Sequence, residues 1–578
     1  MFIFAVSGCF VVVISFLLVV LAYYIQCRSK ICHNSNSLND KYDYIIVGAG
    51  TAGCILAAKL SENSNRTVLL IEAGSEFNRI SKIPPLSPLL QGTSFDWGYL
   101  STPQKWSSKG MIDKKQKIPR GKGFGGTSQI NFMVHGYLET EDLEKWEKLG
   151  IKDIKKYLPK FYNNLYNTSH NIKRANQILT EEMKWSLGIV LEKAVKECGA
   201  LSLTFCKSFS TIYKGNRWTS YDSHLKGALK RPNLHVICST EVTKVLISNK
   251  SAFGIESVSG GLIRTYTAKE IILAAGSINS PKLLMLSGVG DKKLLQKLNI
   301  NVVEDLKGVG KNLHDHFNFP LYVSIEKPIS LSLSKILSFK EIFNYLFYKK
   351  GVLAKSPIAG VAYAPSNFSI ILSAFGSTNE HIFKLIGNYK SEIFQKMFPF
   401  SNDFSKEGFV FLTTCAQPKS RGYIILKSNN YKTAPIINPN YLEHKYDIEC
   451  TKKAVKVLKK LIDTKPFQKI GAKIHWPYIE ECSQWRDEQG NNTENFLECL
   501  IRFCSMTWYH PAGTCAMGGQ NDSNAVLDSF FRVNSIKNLR IVDGSVLPTP
   551  VSTFPNSIIA ALADYASEII QLTYPESE

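Results

Sequence analysis

The 13 cysteines include no CxxC unit, so neither a zinc ribbon nor a compact disulfide framework is signalled, and no metal site is expected. Their odd number leaves at least one thiol unpaired. A long basic block is also missing. Lys and Arg total 69 against 48 Asp and Glu, a formal net charge of +21, yet the lysines are scattered in pairs such as Lys114-Lys115, Lys155-Lys156 and Lys349-Lys350. A solvated basic surface accounts for that dispersion, and no nucleic-acid partner is expected. The absence of any fixed-period repeat or low-complexity segment excludes solenoids and propellers. What remains is ordinary for a folded chain: 44% hydrophobic and 20% charged over 578 residues, enough length for two joined domains around a large ligand.

Residues 2–25 carry no charged side chain. At 1.5 Å per helical residue such a run is long enough to cross a bilayer. Residues 1–26 are therefore read as a signal peptide or signal anchor, and the polar residues 27–41 as a linker. The length of the run, with no Lys or Arg ahead of it, favours an anchor, while Ser7, Gly8 and Ala22 offer small-residue cleavage positions; the sequence leaves cleavage undecided. Arg28, Lys30 and Lys41 follow the run, and by the positive-inside tendency they pull the body towards the cytosol. The expectation retained against that pull is the secretory pathway, extracellular or lumenal, with membrane attachment if the run is kept. Asn-X-Ser/Thr acceptors at Asn65, Asn167, Asn249, Asn367, Asn491 and Asn521 permit glycosylation.

Apolar runs at 42–47, 67–71, 234–237, 271–273 and 539–542 suit one sheet assembled from distant segments. Between about 320 and 500 the pattern turns to mixed helices and strands rich in Phe and Tyr, as for an inserted second domain that carries substrate contacts. The expected order is a nucleotide-binding domain over 42–320 that includes some substrate-domain segments, a mainly substrate-binding part over 321–505, and a return to the first domain over 506–575. The first strand runs into Gly48-Ala49-Gly50-Thr51-Ala52-Gly53, then an apolar helical stretch and a second strand ending in Glu72. That order is the dinucleotide fingerprint. Gly48 suits a tight turn, Gly50 close approach to a pyrophosphate, Gly53 close helix packing, and Glu72 the ribose hydroxyls. Thr51 and Ala52 open the helix whose amides face the phosphates. At this point FAD and NAD are both open.

Three further segments resemble the glucose-methanol-choline (GMC) family of FAD oxidoreductases, particularly its arthropod glucose-dehydrogenase-like members, over about residues 42–570. They are Pro119-Arg120-Gly121-Lys122-Gly123-Phe124-Gly125-Gly126-Thr127-Ser128-Gln129-Ile130-Asn131, the run Ala274-Ala275-Gly276-Ser277-Ile278-Asn279-Ser280-Pro281 with its continuation to Gly290, and Trp508-Tyr509-His510-Pro511-Ala512-Gly513-Thr514-Cys515 with Asp543-Gly544-Ser545 and Pro555-Asn556-Ser557. The resemblance implies an α/β (α+β) fold, a Rossmann-like FAD-binding domain with an inserted mixed-sheet substrate-binding domain. It implies FAD contacts at Gly125, Gly126, Thr127, Asn131, Phe132, Met133, Val134, Val242, Tyr509, Asp543 and Gly544, besides the glycine turn and Glu72. It puts His510 and Asn556 at the two catalytic positions. Ile118 stands where some members carry a flavin-linked histidine, so the FAD is expected to be non-covalent. His314 and His316 are read as structural.

The expected reaction is oxidation of the CH-OH group of a small-molecule alcohol. An imidazole suits the hydroxyl proton because its ordinary pKa lies near neutrality; the hydride goes to the flavin, and the electrons pass on to dioxygen or a quinone-like acceptor. His135-Gly136-Tyr137-Leu138-Glu139 departs from the family's usual Tyr and Arg-Gly-Asn continuation, and Phe124, Phe554 and Trp508 add aromatic bulk. These departures favour an apolar or aromatic alcohol over a sugar. Two other readings accompany this one: a hydroxynitrile (cyanohydrin) lyase or cyanohydrin oxidase on the same fold, and a catalytically silent flavin-binding protein.

Overall fold

The structure, a computed structural model, describes residue 32 and residues 40–573 except 138, 152–153, 157, 161–176, 200–202, 207–208, 365–366, 377–378, 488, 490–492 and 520, and the side chains of 383–385. The apolar run 2–25, and with it the signal or anchor expectation, lies outside the described residues, as does most of the 27–41 linker. Among the described residues no helix is long and apolar enough to cross a membrane.

One sheet holds the nucleotide-binding half. Its strands run in the order Leu234–Ile237, Val68–Ile71, Lys41–Val47, Leu262–Leu273, Ser251–Ser259 and Glu241–Ser248, with Leu539–Ile541 beside Leu262–Leu273. The long strand Leu262–Leu273 joins two kinds of pairing. Its first half runs antiparallel to Ser251–Ser259, and its second half runs parallel to Lys41–Val47 and to Leu539–Ile541. Every residue of Val68–Ile71 is buried, as is all of Lys41–Val47 but its first residue, which is why these segments read as unbroken apolar runs. The helices Thr51–Leu60 and Pro555–Leu572 pack against each other over this sheet. The expected Rossmann-like architecture is present.

The second sheet is antiparallel, in the order Lys473–His475, Phe317–Ser324, Gly408–Cys415, Phe368–Ser373, Ile358–Ala364 and Thr204–Cys206, and Met506–Thr507 adds to Phe317–Ser324. Lys445–Ile462 and Ser186–Glu197 pack on it. A 320/321 boundary therefore falls inside the strand Phe317–Ser324, and the short strand Met506–Thr507, which opens the 506–575 segment, still pairs with that strand. Hydrogen bonding crosses both points, which apolar patterning does not reveal.

Three disulfides link distant segments: Cys32–Cys238, Cys415–Cys450 and Cys482–Cys499, separated by 206, 35 and 17 residues. Cys54, Cys198, Cys206, Cys504 and Cys515 are free thiols.

Candidate active site

The glycine turn is built by close contact. Gly48 sits at φ +100°, and a Cβ there would lie 2.6 Å from the Ala274 carbonyl oxygen. A Cβ on Gly53 would lie 1.8 Å from the carbonyl oxygen of Gly48, so the helix Thr51–Leu60 rests directly on the turn. The Gly125 N–H donates to the Ala49 carbonyl (2.7 Å), and a Cβ on Gly126 would lie 2.8 Å from Gly50 Cα, which closes the second glycine segment onto the first.

These contacts leave a cavity of about 1350 Å³, counted with its opening. Gly50, Thr51, Ala52, Gly126 and Thr127 form one wall, Asn131, Phe132, Met133 and Val134 a second, and Tyr509, His510, Asp543, Gly544 and Asn556 a third. An adjoining cavity shares Trp97, Ala275 and Asn279 with the first and is lined by Gly48 and Val242. Gly53, Glu72 and Gly125 line neither. Glu72 lies under the turn, where its carboxylate accepts the N–H groups of Ala49 and Gly74 (2.8 Å each) and also meets that of Gly123. Two joined chambers behind a helix N-terminus, with glycine backbone at the wall, fit an extended dinucleotide.

Ile118 does not line the cavity. It is fully buried in a short strand pair with Tyr99, so it is not the position from which a covalent flavin link could come.

Two residues at the wall hold backbone conformations that side chains rarely adopt: Met133 at φ +60° and Tyr509 at φ +64°. Arg217, 0% exposed, secures the loop behind Met133. Its guanidinium donates to the carbonyls of Ser81 (2.8 Å), Ser128 (2.7 Å) and Asn131 (2.6 Å), to Asn131 Oδ1 (2.6 Å) and to Ser87 Oγ. Burial pulls its pKa down to about 9, which still leaves it charged at neutral pH. Arg217→Met is expected to lower stability by about 3 kcal/mol or more, because several buried acceptors lose their donor at roughly 1–3 kcal/mol each. Thermal unfolding and the flavin-to-protein absorbance ratio check this, and both are expected to fall.

His510 is held from both sides. Its backbone N–H donates to Asp315 Oδ1 (2.7 Å), and Asp315 also accepts from Thr507 Oγ1 (2.6 Å) and Tyr441 Oη (2.5 Å). Burial pushes the Asp315 carboxyl up to about 6 in spite of these donors. The His510 ring lies edge-on to Phe554, and its Nδ1 lies 2.8 Å from His316 Nδ1. His316 Nε2 lies 3.0 Å from the Ala416 carbonyl, which can only accept, so that nitrogen carries the proton. Burial holds His316 below the ordinary imidazole pKa; with one proton placed on Nε2, its Nδ1 is an acceptor. With the His316 proton on Nε2, facing the Ala416 carbonyl, the proton between the rings belongs to His510 Nδ1, and His510 Nε2 keeps its lone pair. Burial, with the nearby His316 and Arg120, holds His510 well below 6.5, so the base form is already present at neutral pH.

His316, read from the sequence as structural, thus lies directly against His510. Its run pairs with the His510 segment, Trp508 N–H to the His316 carbonyl (2.9 Å) and His314 N–H to the Ala512 carbonyl (3.1 Å), and 194 residues separate the two histidines. His314 does behave as read, buried and bonded to the Asn312 carbonyl. At the start of the helix Pro555–Leu572, Asn556 Oδ1 accepts from Thr51 Oγ1 (2.7 Å), which leaves its Nδ2 hydrogens for the cavity it lines.

A third chamber, about 610 Å³ with its mouth, lies on the other side of His510 and Phe554. Val361, Tyr363, Ser369, Ile371 and Thr414 reach it from the second sheet at alternate positions, as one sheet face requires. The departing loop supplies Val134, His135, Tyr137 and Glu139, and Trp508 borders both this chamber and the principal cavity. The Trp508 indole N–H is buried without an acceptor among the described residues.

Two models of the GMC oxidoreductase family match the chain, over residues 42–318 and 418–563. "Neither inactivation nor afterpotential protein G" of Drosophila melanogaster is 34% identical over 545 residues, 90% of this chain and 89% of that protein. Ecdysone oxidase of Spodoptera littoralis is 30% identical and covers 92% of each chain. Among solved structures, pyridoxine 4-oxidase from Mesorbium loti superposes with a TM-score of 0.76 at 22% identity, over 93% of this chain and all of that one, a likeness of fold.

Proposed function

We propose, from the premise that this chain belongs to the GMC oxidoreductase family and is an FAD-dependent oxidoreductase of CH-OH donors, that its substrate is an apolar or aromatic alcohol held in the chamber beside His510. The observation that carries this reading is the chamber wall. Val134, Val361, Ile371, Ala416, Trp508 and Phe554 give it apolar and aromatic area that exceeds the polar area of the His135, Tyr137, Glu139, Tyr363, Ser369, Thr414, Ser552 and Thr553 side chains also on the wall; of these, Tyr363 Oη donates to Glu139 Oε1 (3.1 Å), and Thr414 Oγ1 donates to the Phe317 carbonyl (3.2 Å). A sugar needs partners for many hydroxyls, and the greater part of this wall's surface is apolar. The Spodoptera littoralis relative is named an ecdysone oxidase, after an alcohol donor other than glucose within the family.

Bound along the two joined cavities without a covalent link, FAD supplies the hydride acceptor. Its contacts are assigned to Gly50, Thr51, Ala52, Gly126, Thr127, residues 131–134, Tyr509, Asp543 and Gly544, with Val242 at the far chamber and Glu72 beneath the turn. Asp543 acts largely through the fold, accepting from Gly276 N–H (2.8 Å), Ser280 Oγ (2.5 Å) and Ser545 N–H (2.7 Å). His510 Nε2 accepts the hydroxyl proton, Asn556 Nδ2 donates to the substrate oxygen, and His316 keeps the His510 proton on the far nitrogen. The electrons pass on to dioxygen or a quinone-like acceptor.

His316→Phe removes the acceptor that sets this tautomer, and the rate of flavin reduction is expected to fall roughly 10–100-fold with FAD retained, the scale of other ring-orienting partners. His316→Gln, which still offers an oxygen, is expected to recover part of the loss. In the unmodified protein the rate is expected to hold level as pH falls from neutral to below 6.5, since a lowered imidazole pKa keeps the base form available there. A limb at or above 6.5 in stopped-flow reduction contradicts this assignment.

The substrate reading is tested by the specificity constant for flavin reduction with benzylic, long-chain and steroid alcohols against glucose. The apolar set is expected to lead, and glucose in front overturns the reading. We also assign the protein to the secretory pathway, extracellular or lumenal. The three disulfides suit an oxidising compartment, and the acceptors Asn65, Asn249 and Asn521 are exposed. Thiol alkylation of the purified native protein, read by mass spectrometry, is expected to leave those six cysteines unlabelled.

A further inference from the structure

The helix Phe339–Tyr348 turns its phenylalanines outward. Phe339 is 44% exposed, Phe343 37%, Phe347 61% and Tyr348 61%, and Leu337, two residues before the helix, is 68% exposed. Positions 339, 343 and 347 share one helical face, and the rings touch in series, Phe339 to Phe343 at 6.3 Å and Phe343 to Phe347 at 4.6 Å. They form one patch, whereas surface apolar residues on soluble proteins are normally scattered. The inward face is carried by Tyr345, buried, with its Oη donating to Asn216 Oδ1 (3.0 Å).

Lysine outnumbers carboxylate along the patch. Residues 333–350 contain Lys335, Lys340, Lys349 and Lys350 against Glu341; Lys335 is paired with Glu407 (2.7 Å), and the Glu341 carboxylate is engaged by the Val352 N–H (2.8 Å). Lys340 lies on the aromatic face and is exposed, as is Lys350 beyond the helix end. We propose that this face docks on the surface of an anionic lipid bilayer, the rings entering the headgroup boundary and the lysines meeting lipid phosphates and carboxylates. An aromatic stripe flanked by lysine is the composition that lies in such an interface. The whole chain carries a net charge of +21, which adds attraction to an anionic surface. The uncharged run 2–25 is a second membrane-seeking element in the same chain. The inference is independent of the substrate reading. The turn Val352–Ala354, which follows the helix, packs on Pro84–Leu90, and the next residue, Gln91, lines the principal cavity assigned to FAD.

The test uses the full-length holoprotein with Phe347→Trp and vesicles of phosphatidylserine and phosphatidylcholine whose acyl chains carry bromine, a contact quencher of indole. The emission added by the substitution, taken as the difference from wild type, is expected to fall at least roughly twofold on brominated relative to unbrominated vesicles, and less on brominated phosphatidylcholine alone. Exchange of one exposed aromatic for another leaves the core untouched, and an unchanged flavin spectrum checks this. Protein that floats with vesicles without quenching, or that fails to float, overturns the proposal. So does an added indole already shielded without lipid, which assigns the face to residues 2–25 or, if shielding depends on protein concentration, to a second copy of the chain.

Discussion

Gly53→Ala is expected to give protein that purifies without its yellow flavin, and at lower yield. The added Cβ falls 1.8 Å from the Gly48 carbonyl oxygen, which is backbone and has no side-chain freedom with which to move away. The helix Thr51–Leu60 must then lift from the turn, and its first residues carry the effect outward. Gly50, Thr51 and Ala52 line the cavity, and Thr51 Oγ1 orients Asn556. Overpacking by one carbon in a tight core costs about 1–3 kcal/mol, and a backbone clash this close belongs at or beyond the top of that range. Gly227→Ala is the control: a Cβ there meets nothing within 4 Å, and its flavin content is expected to be unchanged. The ratio of flavin to protein absorbance reads both variants.

His510→Ala is expected to keep FAD and lose flavin reduction by alcohol by roughly 10²–10⁴-fold, the usual contribution of a positioned general base. The imidazole is one wall residue among many, so the cofactor cradle survives its loss, while Glu139, which also borders the substrate chamber, is engaged by Tyr363 Oη (3.1 Å). Arg120 is cationic, and Asp315 is turned away, its oxygens taken by the His510 N–H, Thr507 and Tyr441. Anaerobic stopped-flow reduction measures the loss. A fall smaller than about tenfold would mean that another group takes the proton.

What the sequence made legible follows from how local each signal is. Gly48, Gly50 and Gly53 could be placed because the need for glycine arises within one turn and the strand before it, and buried parallel strands announce themselves as apolar runs. The loop 135–139 could be flagged as a departure, and it lines the chamber. His316 could not be linked to His510, because the contact joins residues 194 apart through strand pairing that no periodicity encodes. Arg217 gave no signal either: a lone arginine reads as surface, and only the fold shows its donors spent on buried carbonyls. Ile118 was placed at the flavin by alignment of motif order, whereas its side chain turns into the core. The disulfides escaped because their partners are distant in sequence and lie in no recognisable spacing.

The most direct test of the account is anaerobic mixing of the holoprotein with an apolar alcohol and with the same alcohol deuterated at the carbinol carbon. The account predicts that the flavin band bleaches, more slowly with deuterium, and that His510→Ala abolishes most of the bleaching with either. A flavin that stays oxidised with every alcohol while cyanohydrin is cleaved, or bleaching with no isotope effect and no dependence on His510, contradicts it.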